Sequence, residues 1–397
     1  MNHNIETLQI IANKPVRTII GLMSGTSLDG LDIAVCEFSG SGRQTKVSIT
    51  HFTTRNYSND FKEAIKSVFA KKLVDLERLT LLNAFIGTYY GELIVDCLRE
   101  WKLLPEQIDV IASHGQTIYH APKHQHQLTG YPNATLQIGD GDHLAVKTGI
   151  ITISDFRQKH IAAGGEGAPL AVYGDYLIFS HEHENRVMLN IGGIANFTFL
   201  PAGNSTAFFS TDVGPGNTLM DQFIQSKYPG KYYDKNAELA LSGSVNEKLL
   251  EALLDHPFFK AAFPKTTGPE LFSLAYVNDA ISTAAVHNIT DADVMATLAA
   301  FSAKSIILAV SGCISASEPF EIYISGGGMY NPVLKKHLED YFNRPLKLTS
   351  ALGIDPDAKE AVLFALLANE AIAGGETSFG NHPGMPSVSM GKFSFPE

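Results

Sequence analysis

The hydrophobic positions of this chain alternate between short apolar runs and longer segments with helical spacing. Two β-branched runs, 16–21 and 33–38, flank a turn rich in Gly, Ser and Thr, a pattern typical of a β-hairpin. Residues 59–72 and 74–102 repeat apolar side chains every three or four positions, which predicts helices with one buried face. Shorter runs predict a helix at 142–148 and further strands at 108–112, 134–138 and 150–154.

The second half of the chain repeats this order. A strand at 187–190, a turn at Gly192-Gly193 and a strand at 197–200 form another hairpin pattern, and a third strand is expected at 207–210. A late strand, 321–325, ends in three glycines. Strands that alternate with helices predict an α/β fold. Helices are expected from about 218, at 246–255, 271–284, 292–313 and 357–373, the last with a capping-box pattern of Asp357 and Glu360.

This repetition predicts two domains, which suits a chain of 397 residues. We expect an N-terminal domain of residues 1–150 and a C-terminal domain of residues 151–397, with a return of the chain end to the first domain left open. Each domain would contribute one strand–glycine turn–strand unit.

Composition narrows the function classes. The formal net charge of −11 argues against nucleic acid or an anionic membrane as the main partner, because both require basic patches. The three cysteines are scattered, which argues against disulfides and zinc sites and fits a reducing compartment. The N-terminus lacks a signal-peptide pattern and no long apolar run is present. We therefore expect a cytoplasmic protein.

Three glycine turns are the candidate chemistry: Gly25, Gly192-Gly193 and Gly326–Gly328. A phosphate chain needs close approach of the backbone and outward N–H groups, which glycine permits without a steric cost. A single such turn is more often an ordinary hairpin, but three are harder to explain that way. The chain has no Walker A sequence and no protein-kinase signature, so other common phosphoryl-transfer folds are disfavoured.

The arrangement resembles the actin, hexokinase and heat-shock ATPase superfamily. Within it, seven runs in family order are similar to those of the anhydro-N-acetylmuramic acid kinases, and they cover most of the chain. They are Gly21–Asp32, Ser113–Thr117, Ser154–Arg157, Ala162–Pro169, Leu189–Asn196, Thr211–Asn217 and Ser325–Asn331.

The resemblance implies an α/β, two-lobed actin-like ATPase fold of duplicated ribonuclease H-like domains with a central cleft. It implies a kinase that opens the 1,6-anhydro ring of anhydro-N-acetylmuramic acid with water and phosphorylates O6, giving N-acetylmuramic acid 6-phosphate and ADP in peptidoglycan recycling. ATP would be the co-substrate with Mg²⁺, and a homodimer is possible. Met23 and Asn190 stand where the wider superfamily carries aspartate, so the ligands of Mg²⁺ stay unknown.

The resemblance also implies site residues. Asp212 is the expected catalytic base, although a carboxylate before Gly-Pro-Gly is also a common cap of a turn or helix. For the sugar we expect Arg157 to hold the lactyl carboxylate, with His114, Gln116, Asp155 and Glu360 as further candidates. Ordinary loop, salt-bridge and capping roles remain open for these residues. The expected ATP contacts are Gly25, Thr26, Ser27, Leu28, Asp29, Gly30, Leu31, Asp32, Gly192, Gly193, Gly326, Gly327, Gly328 and Asn331.

Two other functions stay open at this point. An ordinary hexose or amino-sugar kinase of the same fold would phosphorylate a free hydroxyl without a hydrolytic water. A nucleotide-binding switch or filament module would turn over ATP slowly and would not respond to sugars. The runs at Ser154–Arg157 and Ala162–Pro169 lie outside the nucleotide turns and favour an enzyme with a second ligand.

Overall fold

The computed structural model describes residues 2–203, 206–268, 270–315, 318–375, 378–380, 382 and 384–397. The chain forms two compact units, Met1–Ile178 with Ala358–Glu397, and Phe179–Asp357. The division differs from the expected one at residue 150, because residues 151–178 and the chain end join the first unit. Spacing along the sequence does not reveal which sheet a late strand or helix will join.

The elements follow the order expected from the hydrophobic pattern. In chain order the strands are β1 (Val16–Ser24), β2 (Gly30–Ser39), β3 (Lys46–Asn56), β4 (Val110–Ala121), β5 (Ala134–Ile138), β6 (Thr152–Ser154), β7 (Asn185–Ile191), β8 (Ile194–Leu200), β9 (Phe209–Pro215), β10 (Phe320–Ser325), β11 (Lys347–Leu348) and β12 (Lys392–Ser394). The helices are α1 (His3–Ala12), α2 (Asn59–Lys66), α3 (Leu76–Trp101), α4 (Lys123–His126), α5 (Gly141–Thr148), α6 (Phe156–Ala162), α7 (Ala171–Phe179), α8 (Thr218–Lys227), α9 (Glu238–Ser242), α10 (Glu247–Leu254), α11 (Pro257–Lys260), α12 (Leu274–Thr283), α13 (Asp291–Cys313), α14 (Pro332–Phe342) and α15 (Lys359–Ala373).

The first unit is built on a mixed sheet with the strand order β12-β6-β4-β1-β2-β3, in which β5 pairs with β4. Strands β1, β2 and β3 are antiparallel neighbours, whereas β4 and β6 add to the other side of β1 in parallel. Helix α15 packs on β1, and Gly21 permits this contact because a Cβ there would lie 1.9 Å from the carbonyl oxygen of Ala361. The end of the chain is therefore part of this unit's core.

The second unit repeats the same path. Its sheet has the order β11-β10-β7-β8-β9, with β7, β8 and β9 antiparallel and β10 and β11 added in parallel. A ribonuclease H-like domain has this topology: three antiparallel strands come first, parallel strands follow by crossover connections, and the first strand is central in the sheet. Its occurrence in both units confirms the expected α/β fold class with duplicated domains.

Helix α13 forms the centre of the second unit's core. Thr290 caps its start by accepting a hydrogen bond from the N–H of Asp293. The helix is long and apolar enough to pass a length-and-composition test for a membrane span, but 83% of its apolar window is buried in the fold. Burial on nearly all sides explains its apolar composition without a membrane.

Three local expectations are corrected by the structure. His114 and Gln116 lie within β4 rather than after it, because β4 continues past its apolar run to pair with β5. Asp212 likewise lies inside β9, although the glycine and proline that follow it suggested a strand end. The capping box at Asp357 and Glu360 does not form, since α15 begins at Lys359 without a side-chain cap. The sequence patterns also missed α1, β3 and α14.

Candidate active site

The first glycine turn, residues 25–29, joins β1 to β2 and is held from behind by buried side chains. Ser24, the last residue of β1, donates a hydrogen bond to Oε1 of Gln116 at 2.5 Å and accepts one from the hydroxyl of Tyr57 at 2.8 Å. Gln116 in turn donates from Nε2 to the carbonyl oxygen of Gly25 at 3.4 Å. Because both N–H bonds of its amide are used, by Gly25 and by the carbonyl of Thr117, we assign Gln116 to the turn rather than to the sugar.

Some of the residues expected to bind ATP in and after this turn are exposed, and others are buried or paired within the protein. Thr26, Ser27 and Asp29 are exposed, and a Cβ added to Gly25 would meet nothing nearer than 3.7 Å. Leu28 has a left-handed backbone with φ of 58°, and its side chain is buried in the core. Of the other expected contacts here, Gly30 and Leu31 are buried in β2, and Asp32 accepts a hydrogen bond from Thr54 at 2.6 Å.

The second glycine turn, Gly192-Gly193, joins β7 to β8 and is held by backbone groups. The N–H of Gly216 donates to the carbonyl of Gly193, and the N–H of Asn217 donates to that of Gly192, both at 2.8 Å. A Cβ on Gly193 would meet nothing nearer than 3.9 Å. Packing therefore does not require glycine at position 193.

The third turn, Gly326–Gly328, follows β10. Gly326 has a φ of 80°, and a Cβ on Gly328 would lie 2.2 Å from Cγ2 of Ile191, so both positions require glycine for the fold itself. Gly327 is exposed, with Nδ2 of Asn217 3.6 Å from its Cβ position. Asn331 caps α14 through its Oδ1. The third turn thus packs beside the second within one unit.

Arg157 lies at the start of α6 in the first unit and is held in place from two directions. Its Nε donates to Nε2 of His114 at 2.9 Å, and its Nη1 donates to the carbonyl of Gly167 at 2.6 Å. Burial lowers the pKa of Arg157 to about 10, although Glu360 opposes this shift. No carboxylate of the described residues lies within 4.0 Å of this guanidinium. A half-buried cation with no carboxylate in salt-bridge contact is suited to an anionic ligand.

His114 orients Arg157 as a neutral imidazole. It is buried in β4, and burial together with the positive charge of Arg157 holds its pKa well below the usual value. Because Nε2 accepts from Arg157, the proton resides on Nδ1, which has no hydrogen-bond partner among the described residues. His114 therefore supports the cation and is poorly placed to act as an acid.

Glu360 and Asp155 complete the polar residues expected in this unit. Glu360 is open to solvent, yet the protein around it removes enough hydration to raise its pKa, while Arg157 and Lys359 lower it. Without a capping role, its carboxylate is available to a ligand. Asp155 instead pairs with Lys392 of β12 and, with His114, lines a cavity of about 570 Å³.

Asp212 projects from β9 in the second unit and is half-buried. Its Oδ2 accepts a hydrogen bond from the N–H of Thr267 at 2.9 Å, while the described residues give Oδ1 no partner. Burial raises the pKa of Asp212 to about 6; the Thr267 N–H opposes this shift and the charge of Glu270 adds to it. A carboxylate with one oxygen held, one oxygen free and a pKa near neutrality has the properties of a general base.

Two residues that support these side chains escaped the sequence patterns. His160, three positions after Arg157 on α6, accepts the N–H of Gly167 at 2.9 Å, so both side chains grip the same glycine of the 162–169 loop. Their i, i+3 spacing is a signal that points to a shared helix face. Thr267 offers only its backbone to Asp212, and no side-chain pattern could have indicated that.

The two ribonuclease H-like units, each with a glycine turn after its first strand, are characteristic of the actin-like ATPase class, which includes ATP-using sugar kinases. The chain belongs to the anhydro-N-acetylmuramic acid kinase family, whose model matches residues 17–389. It is 53% identical to the anhydro-N-acetylmuramic acid kinase of Pseudoalteromonas atlantica, with 100% of both chains covered. It is 37% identical to that of Caldanaerobacter subterraneus subsp. tengcongensis, over 98% of this chain and 100% of the relative.

Likenesses among solved structures are more distant. An activator of 2-hydroxyisocaproyl-CoA dehydratase from Clostridium difficile with bound ADPNP is 12% identical, with a TM-score of 0.39 over 89% of this chain and 95% of that chain. A ROK family protein from Streptococcus pneumoniae in complex with sucrose is also 12% identical, with a TM-score of 0.31 over 89% and 99%. The fold assignment therefore depends on the strand order of this chain itself.

Proposed function

We propose that this protein uses ATP and water to convert anhydro-N-acetylmuramic acid into N-acetylmuramic acid 6-phosphate and ADP, in the recycling of peptidoglycan. The observation that carries the proposal is the state of Asp212: half-buried, held at one oxygen, free at the other and close to neutrality in pKa. Family membership supplies the substrate. The chemistry of the site is compatible with it.

In this reaction Asp212 takes a proton from water as the water oxygen bonds to C1 of the sugar. The C1–O6 bond breaks, O6 forms a bond to the γ-phosphorus, and ADP leaves with the electrons of the broken phosphoanhydride bond. Glycoside hydrolysis normally needs a second carboxyl group to protonate the leaving oxygen. Phosphorus captures O6 here, so a single base is enough.

The polar residues of the first unit supply the binding of the sugar in this proposal. Arg157 pairs with the lactyl carboxylate, which would offset the cost of burying its charge. His114 fixes the guanidinium, and Glu360 accepts a hydrogen bond from a sugar hydroxyl. Asp155 acts indirectly, because its pairing with Lys392 fixes the start of α6.

We also propose that Mg²⁺ accompanies ATP, because a cation must offset the charge of the phosphates. Within the described ranges no group of three His, Cys, Asp or Glu side chains could hold a metal. Such a chain suits an ion carried mainly by phosphates and water, with the exposed oxygens of Thr26, Ser27 and Asp29 as the available hard ligands. The homodimer stays a prediction from the family. The cytoplasmic location stays a prediction from the sequence, and the free thiols of Cys36, Cys97 and Cys313 fit a reducing compartment.

The decisive experiment measures ADP release with anhydro-N-acetylmuramic acid, N-acetylmuramic acid and N-acetylglucosamine in water enriched in oxygen-18. We expect turnover with the anhydro sugar, one heavy oxygen at C1 of the product and none in the phosphate ester. Equal turnover of N-acetylglucosamine, with no label at carbon, would instead establish an ordinary amino-sugar kinase.

Asp212→Asn tests the base. We expect turnover to fall by ~10²- to 10⁴-fold, as is typical of the loss of a general base, with ATP affinity nearly unchanged. Asp255→Asn, which alters an exposed carboxylate of the same unit, is the matched control. An Asp212→Asn enzyme with the wild-type kcat would remove Asp212 from the mechanism.

A further inference from the structure

The segment that holds Asp212 is a loop of residues 263–268, which runs beside β9. The N–H of Asp212 donates to the carbonyl of Lys265 at 2.9 Å, and the N–H of Lys265 donates to the Thr211 hydroxyl at 3.0 Å. The N–H of Thr267 then reaches Oδ2 of Asp212. The direction of the Asp212 carboxylate thus depends on where this loop lies.

The side chain of Lys265 fastens the loop in an unusual way. Its ammonium lies 4.3 Å from the ring centroid of Phe258 and 4.4 Å from that of Phe263, and donates to the carbonyl of Phe258 at 2.8 Å. No carboxylate of the described residues lies within 4.0 Å of it. The cation is therefore held by aromatic faces and one carbonyl, an arrangement that favours a charged group over an apolar one of the same length.

Phe258 and its neighbour Phe259, whose ring centroid is 5.9 Å from the Lys265 ammonium, are anchored to the core of the unit. Phe258 packs edge-to-face on Phe272 at 5.6 Å, and Phe259 packs on Phe301 at 5.5 Å. Phe272 and Phe301 are fully buried. A continuous set of contacts therefore connects the core, through the Lys265 ammonium, to the backbone that hydrogen-bonds Asp212.

We propose that Lys265 is a positioning residue for Asp212: its ammonium, held against Phe258 and Phe263, fixes the 263–268 loop and so aims the carboxylate that activates water. The inference rests on the proposed function of Asp212. Lys265 itself touches neither substrate nor nucleotide in this account. Its effect on turnover passes entirely through the Thr267 N–H and the loop backbone.

The test compares Lys265→Met, which keeps the length and removes the charge, with Lys265→Arg, which keeps a cation able to stack on the rings. We expect kcat to fall by ~10- to 100-fold in the Met variant, because small misplacements of a catalytic group have effects of this size, and to recover partly in the Arg variant. The KM for ATP should not change. Lys260→Met removes an exposed lysine at the end of α11 and should have no effect.

A pH profile separates positioning from general damage to the fold. The residue that pairs with Asp212 on β8 is Asn196, which carries no charge. Glu270 follows the loop in the chain, and its negative charge already raises the pKa of Asp212. If the Thr267 N–H moves away, the pKa of Asp212 rises further. The acidic limb of kcat should therefore shift to higher pH in Lys265→Met and return in Lys265→Arg.

A double variant completes the test. In an Asp212→Asn background, Lys265→Met should cause no additional loss of kcat, because the residue through which it acts is already gone. The inference would be overturned if Lys265→Met lowered kcat in the Asp212→Asn background as much as it does in the wild type. It would also be overturned if Lys265→Met alone kept the wild-type kcat and pH profile. In both cases Asp212 would remain the base. A fully active Asp212→Asn enzyme would overturn the proposed base and the inference with it.

If Lys265→Met does not fold, Phe263→Leu is the alternative variant. It removes one of the two rings that contact the Lys265 ammonium, and the acidic limb of kcat must shift in the same direction by a smaller amount.

Discussion

The two strand–glycine–strand turns occupy equivalent places in the two sheets, yet different groups hold them. The turn after β1 is fastened by a buried chain of side chains, from Tyr57 through Ser24 to Gln116. The turn after β7 is fastened by backbone N–H groups that follow β9, at Gly216 and Asn217. The same topology thus places a glycine turn after the first strand of both units, while the chemistry that stabilises each turn differs.

This difference determines which substitutions each turn tolerates. A side-chain network fails when one hydroxyl or amide is removed, because its buried partners lose their hydrogen bonds. A backbone network has no side chain to remove and fails only when an added atom separates the two backbones. Glycine positions are therefore the sensitive ones around the second turn, and polar side chains around the first.

The largest effect is expected at Gly216. A Cβ there would lie 2.2 Å from the carbonyl oxygen of Gly192, with backbone on both sides. Gly216→Ala should lower the free energy of unfolding by about 1–3 kcal/mol, the usual cost of forcing an extra atom into a packed site. It should also reduce kcat/KM for ATP by ~100-fold or more, because the turn is displaced. Denaturant unfolding and steady-state kinetics measure the two effects.

Gly193→Ala is the matched control, in the turn that the backbone of Gly216 holds but with open space around its Cβ. Its unfolding curve should coincide with that of the wild type. If the second turn binds phosphate as proposed, only the KM for ATP should rise, because the new methyl group would occupy the open space beside the turn. If Gly193→Ala destabilised the protein as much as Gly216→Ala, the second turn would not be held in the way described here.

A similar loss of stability, but a smaller effect on the use of ATP, is expected at Ser24, which precedes the first turn. Ser24→Ala leaves Oε1 of Gln116 and the hydroxyl of Tyr57 short of a partner, although Tyr57 keeps a contact with Tyr90 at 3.0 Å. The free energy of unfolding should fall by about 1–3 kcal/mol, as for other buried groups left unsatisfied, with ATP binding weakened less than in Gly216→Ala. Tyr57→Phe should give a milder version of the same result. A fully stable Ser24→Ala protein would remove the contrast between the turns.

The contrast also shows what the sequence alone could and could not predict. Strand and helix order followed from apolar periodicity, and the three glycine turns were visible as residues. The supports of the turns were not, because Tyr57 and Gln116 lie far from Ser24 in sequence, and Gln116 was expected to bind the sugar rather than to hold the turn. Glu360 was obscured by a capping pattern that α15 does not use, since the helix begins too late.

The same limit applies to the candidate base. Asp212 was found through family resemblance, but its half-buried state and its hydrogen bond to Thr267 depend on a loop more than fifty residues away in the chain. Long-range backbone contacts leave no periodic signal in a sequence. Residues that carry chemistry are therefore easier to predict than the residues that hold them.

The smallest expected effect concerns the cost of keeping Asp212 ionised in the second unit. The Asp212 carboxyl is protonated below about pH 4 in the unfolded chain but below about pH 6 in the folded one. The folded state therefore loses stability as the pH rises from 4 to 6, and the full cost is present above 6. Asp212→Asn removes that cost and should be more stable than the wild type by about 1–2 kcal/mol at pH 8, after allowance for partial exposure to solvent. The difference should vanish near pH 4.

Asp221 titrates in the same range, because burial raises its pKa to about 6 as well, but it is common to both proteins and cancels. Urea unfolding of both proteins at several pH values measures this difference; a constant difference across the range would mean that the Asn side chain acts through packing rather than charge.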